Sequence, residues 1–156
     1  MWIIMKNKIE FDQAIKNAYL DMAFPNFAFV MEKYNSLKYK GIITELSSRF
    51  DVRDNTELNN DVCFSLEVVL QEGIAFLYMS FVGQYAFIIF KNDVITKHAN
   101  INADVAGLID ILLCHEFMIL DKEFLLSEVS CDICPFLVEA NNKYLNYLFA
   151  RGLKIK

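Results

Sequence analysis

The stretch IAFLYMSFVGQYAFIIF, residues 74–90, runs for seventeen residues without a charge. Such a run can cross a membrane as a helix, fill the inside of a sheet, or wait on the surface for a partner. Seventeen residues is the short limit for a helix crossing a hydrocarbon core of roughly 30 Å. Gly83 and Gln84 interrupt the run, and the rest is rich in β-branched and aromatic residues. Just upstream, VCFSLEVVL alternates, with Val62, Phe64, Leu66 and Val68 on one side and Cys63, Ser65, Glu67 and Val69 on the other. That is the two-residue period of a strand. QEG supplies a turn after it, and KND closes the run beyond YAFIIF. The expected structure is an antiparallel meander whose middle strand is apolar on both faces. One face takes the chain's own helices. What covers the second face is the question this sequence raises.

Helices are expected on both sides of the meander in sequence. Phe11, Ile15, Ala18, Tyr19 and Met22 share one side of a helix over residues 9–23, with Pro25 just beyond it as a stop. FAFVMEKYNSLKY fits helix or strand, and IITELSSRF fits a short helix. DVRDNTELNND, residues 51–61, is polar and turn-rich and reads as a loop. A helix over residues 102–115 starts at the N-cap Asn102 and turns Val105, Leu108, Ile109 and Leu112 inward. Asp104 falls in its first turn, where the helix dipole favours an anion. FMILDKEFLLSEV fits a short strand and turn or a pair of helices; CDICPFLV reads as a loop. EANNKYLNYLFARGLK reads as a last helix with Gly152 as its C-cap. The whole is one α+β domain over residues 1–156: an antiparallel meander sheet of three to four strands packed against several helices. A 55% apolar content with 14 Phe and 7 Tyr is ample for its core and argues against disorder.

Chemical signatures are sparse. Cys131 and Cys134 form a Cys-x-x-Cys pair, but Pro135 follows it and no β-α-β pattern surrounds it, so redox exchange is not expected. The pair could give half a zinc site, with Cys114 or His115 as a further ligand; a second Cys-x-x-Cys is missing, and no metal or cofactor is expected. All four cysteines, Cys63 included, read as small hydrophobes in a reduced chain. His98 and His115 are the two histidines, and an enzyme would need one of them in a cleft with Cys114 or an aspartate. No nucleophile elbow, His-Glu-x-x-His motif or glycine-rich phosphate loop occurs. Asp51, Asp54, Glu57 and Asp61 recur every three or four residues, but their loop lacks the glycine a calcium loop requires. Lys33, Lys38 and Lys40 beside Tyr34 and Tyr39 are the nearest approach to a nucleic-acid patch, and none is expected to bind one. MWIIMKNK puts its apolar residues ahead of its lysines, the reverse of a secretory leader, which points to the cytoplasm.

Charge is distributed unevenly. Residues 41–80 carry seven acids and two bases, and residues 101–140 carry eight acids and one base; the formal net charge is −5. Folded onto one side, these stretches would make a surface suited to a basic partner. The order of elements, with the hydrophobic meander, FMILDKEFLLSEV and the late YLNYLF, resembles the small immunity proteins of bacterial polymorphic-toxin and contact-dependent inhibition systems. The resemblance covers residues 60–150 most clearly. It implies a non-enzymatic protein that binds a cognate toxin, commonly a nuclease, in the cytosol of its producer. The expected contact residues are Asp51, Asp54, Glu57, Asp61, Asp104, Asp121, Glu123 and Asp132, beside a tyrosine or phenylalanine that carries interface energy. The alternatives are a small enzyme with an unfamiliar Cys/His/Asp site and an adaptor subunit of a larger complex. A homodimer through a sheet edge stays open with each.

Overall fold

The computed structural model describes residues 2–20, 26–95, 102–129, 143–150 and 153–155, with residues 2–7 as backbone alone. The uncharged run is two antiparallel strands and the turn between them. β2 (Cys63–Leu70), β3 (Gly73–Ser80) and β4 (Tyr85–Phe90) form the expected meander. The sheet is larger than expected and mixed. β1 (Asp51–Asp54) pairs antiparallel with β2, and β5 (Asp93–Val94) pairs antiparallel with β4. β6 (Met118–Ile119) runs parallel to β4 on the same outer edge.

Two of these strands overturn sequence readings. Residues 51–54 are strand rather than loop, because Val52 pairs with Val68 and its charged neighbours stand on an edge where water reaches them. Residues 93–94 form a hairpin with β4 through Lys91 and Asn92, both at positive φ (51° and 66°), the twist that two-residue hairpins favour.

Among the described residues six helices pack on this sheet: α1 (Trp2–Tyr19), α2 (Ala28–Tyr34), α3 (Leu37–Arg49), α4 (Ala103–Cys114), α5 (Lys122–Leu125) and α6 (Tyr144–Leu148). Asn102 caps α4 as expected, its side chain accepting from the Val105 N–H at 2.9 Å. Ser36 and Asp121 cap α3 and α5 in the same way. On α1, Phe11, Ile15 and Tyr19 are buried, the stripe its periodicity implies, although the helix ends at Tyr19. Pro25, Met22, Gly152 and the segment CDICPFLV lie outside the described residues.

The sheet's first face carries Phe64, Leu66, Val68 and Leu70 of β2, with Ala75, Leu77 and Met79 of β3 and Ala86, Ile88 and Phe90 of β4. All ten are buried. α2 and α3 lie over this face: Tyr34 stacks on Phe64 at 4.9 Å, and Tyr39 reaches the same ring at 5.5 Å. The Tyr39 hydroxyl donates to the Ser80 carbonyl. α4 closes against α3 at Gly107, where a Cβ would come within 3.2 Å of the Arg49 guanidinium.

α1, α5 and α6 gather at one end of the second face. Phe149, just after α6, meets the buried ring of Phe87 edge-on at 4.7 Å. Ser80 Oγ donates to the Leu148 carbonyl at 2.6 Å, and Phe11 of α1 packs on Tyr85 at 4.4 Å. The Tyr144 hydroxyl ties α6 to α1 by donating to Asp12 Oδ1 at 2.5 Å. No helix of the described residues is long and apolar enough to cross a membrane.

Candidate partner-binding surface

The register sets the second face in rows that cross the sheet. Cys63 and Ser80 form one row, and Ser65, Tyr78 and Phe87 the next. Cys63, Ser80 and Phe87 are fully buried beneath or beside α6, and Tyr78 stacks on Phe87 at 4.6 Å. Further along the strands come Arg53, Glu67, Phe76, Ile89 and Val94, then Asp51, Val69 and Ile74. Here the cover stops. Ile74 is 41% exposed and Phe76 38% exposed, with Val69, Ile89 and Val94 partly buried around them. Among the described residues, the middle strand is thus covered on one face along its length and on the other at one end alone. An apolar strip remains, and acid borders it on the β1 side: Glu67 lies directly opposite Phe76, and Asp51 is in the row of Ile74.

The acidic residues singled out from the sequence do not assemble into one surface. Asp51, Asp54, Glu57 and Asp61 follow the β1 edge and the loop after it. Asp104 sits at the β2–β3 turn, accepting from the Gln71 N–H at 3.0 Å. Asp121 and Glu123 lie beside β6, beyond the opposite edge and roughly four strand spacings, ~19 Å, from β1. Asp132 lies outside the described residues.

Several of these carboxylates already serve the fold. Asp54 accepts from the Tyr34 hydroxyl and the Thr56 N–H, both at 2.9 Å, and that hydroxyl bond raises the Tyr34 pKa. Asp61 accepts from the Glu57 N–H at 2.9 Å. Burial pushes the Asp61 carboxyl up and the charge of Glu57 adds to this, while the Glu57 N–H pulls the other way. Asp121 caps α5 through the Phe124 N–H at 2.8 Å. Among the described residues Asp51 makes just a long, exposed contact to Arg53 at 3.6 Å, worth little in water. Asp51, Glu57 and Glu123 are the three left most open to solvent chemistry.

Glu67, Ile74 and Phe76 were not among the expected contacts. The signal for Ile74 and Phe76 was present, since a strand apolar on both faces poses the question of its second cover. Glu67 read simply as the outward residue of an alternating strand.

His115 caps the end of α4, its Nε2 2.6 Å from Glu45 Oε2, with both side chains part-exposed. Cys114 is exposed beside it, and Cys63 is fully buried, its thiol held well above the usual range by burial. Among the described residues, one cavity of about 280 Å³ lies between Lys8, Phe11, Met118 and Phe124, and another of about 470 Å³ between α1 and α2; neither includes His115 or Cys114 in its lining. Among the described residues no three His, Cys, Asp or Glu side chains converge to hold a metal ion. His98, Cys131 and Cys134 lie outside the described residues. No family model, curated protein or solved structure matches this chain.

Proposed function

We propose that this chain is a non-catalytic protein-binding module, an immunity protein that neutralises a basic toxin in the cytoplasm, and that its contact surface is the open part of the second sheet face. The observation that carries the reading is the pair Ile74 and Phe76, exposed side by side on β3 with Glu67 and Asp51 adjoining. An apolar centre with a charged border is the anatomy of a protein interface. Phe76 is the anchor, because buried aromatics carry most interface energy, and the carboxylates speed encounter with a cationic surface. Asp51 of the expected contact set belongs to this surface. Asp54 and Asp61 are held in turns that shape the adjoining edge.

A basic nuclease toxin is the partner to test, by calorimetric titration for affinity and stopped-flow mixing for on-rate, each at low and high salt. Phe76→Asp is expected to weaken binding at least about a hundredfold, a loss of ~3 kcal/mol. Glu67→Lys is expected to slow association at low salt with little effect at high salt. Full affinity in the Phe76→Asp variant, with its folding intact, removes this surface from the interface.

A further inference from the structure

The outer edge of β1 is open, and its sequence is self-complementary about Val52. The Asn55 N–H donates to the Ser65 carbonyl at 2.8 Å, in line with the β1–β2 register. Backbone groups alternate direction along a strand, so Arg53 and Asp51 also turn theirs toward β2. Val52 and Asp54 therefore turn their N–H and C=O groups outward. Among the described residues, nothing bonds to those groups, and nothing donates to the carbonyl of Phe50, which continues the strand in extended conformation (φ −135°, ψ 157°). The Phe50 N–H is already held by the Leu46 carbonyl at 2.8 Å.

We infer that this edge pairs antiparallel with the β1 edge of a second copy of the chain, on a two-fold axis through Val52. The two Val52 residues then exchange N–H to C=O bonds. Each Asp54 N–H donates to the Phe50 carbonyl of the other copy. Asp51 of one copy stands opposite Arg53 of the other, twice, on the open side of the sheet. Charge selects this register. Only pairings that set outward-facing residues against each other form hydrogen bonds, and the neighbouring one, centred on Arg53, brings the two Arg53 side chains together. Like charges directly opposite are unfavourable. A basic strand from a different protein matches this edge less well, because Arg53 would face a cation wherever Asp51 does. The two-fold axis stands across the sheet, so both Ile74–Phe76 strips come to the same side of one enlarged sheet. The inference goes beyond the toxin-binding reading and does not depend on it.

The edge is short, below the area of a stable interface, so the dimer is weak, with a dissociation constant on the order of 0.1–1 mM. Sedimentation equilibrium on the full chain at low salt, from about 10 µM to about 1 mM, reads it directly. Asp51→Arg and Arg53→Asp, each alone, set like charges opposite one another and are expected to weaken association by about tenfold. The double variant D51R/R53D restores the pairing with its charges exchanged and is expected to recover wild-type association. Both side chains are well exposed, 64% and 59%, so the variants keep their fold, checked by thermal melting. Val52→Pro removes the outward donor, leaves the β1–β2 ladder its own bonds, and is expected to abolish association. A wild-type chain that stays monomeric throughout this range overturns the inference. So does association that the single variants leave unchanged, or that the double variant fails to recover.

Discussion

Phe87→Ala is expected to lower the free energy of unfolding by about 3–5 kcal/mol. Phe87 is fully buried on the second face, stacked on Tyr78 at 4.6 Å and met edge-on by Phe149 at 4.7 Å. Truncation removes both ring contacts and opens a cavity between the sheet and the last described helix. The Ser80 bond to the Leu148 carbonyl then holds α6 without the ring that backs it. Phe76 stands one row away on the same face, on the neighbouring strand, yet Phe76→Ala is expected to cost less than about 1 kcal/mol, because its ring is already part-hydrated. Urea unfolding of the two variants measures the contrast. Equal losses would mean that the whole face is covered, and the binding strip would not exist.

Alkaline solution is expected to unfold the protein steeply. Burial raises the hydroxyls of Tyr39 and Tyr144 far above the usual tyrosine value, and the hydrogen bond to Asp12 raises Tyr144 further. Burial raises Tyr78, Tyr85 and the Cys63 thiol as well. In each case the folded protein holds its proton more tightly than the unfolded chain does. The stabilisation is therefore complete below the unfolded pKa, about 10 for tyrosine, and is lost as pH rises from there toward the folded value. Each such group removes about 1.4 kcal/mol per pH unit in that window, so Tyr39 and Tyr144 alone remove ~3 kcal/mol per unit. Urea midpoints between about pH 8 and about pH 11 should hold steady at first and then fall sharply. Tyr144→Phe, which has no proton to lose, should show a shallower fall. A midpoint that does not move up to about pH 11 contradicts the burial of these hydroxyls.

The meander was legible because its signals are local. Alternation in VCFSLEVVL, a two-residue turn and an uncharged two-strand run each follow from a few adjacent residues. α4 was legible for the same reason, with Asn102 and the Val105–Leu112 stripe marking its start and inner side. β1 was not, because Asp51, Arg53 and Asp54 look like loop until Val68 is known to lie across from Val52. β5 and β6 are two residues each and exist only because the outer edge of β4 offers them partners. The same limit governs the site. Acid spacing along the chain pointed to one negative surface, but β1 and β6 stand on opposite edges of the sheet, and Asp54, Asp61, Asp104 and Asp121 are occupied by nearby backbone N–H groups. Which part of an apolar strand stays uncovered depends on where Phe149 comes to rest, and that is a long-range outcome.

Site-specific photo-crosslinking in living cells tests the open strip most directly. A photoreactive phenylalanine analogue replaces Phe76 in one strain and Leu37 in another. Leu37, 86% exposed on α3, serves as a more accessible control on the helical side of the molecule. Irradiation should join position 76 to a basic protein and leave position 37 unattached. A basic adduct at 37 alone, or no adduct at 76 in any cells that contain a bound basic partner, contradicts a partner seated on the sheet face.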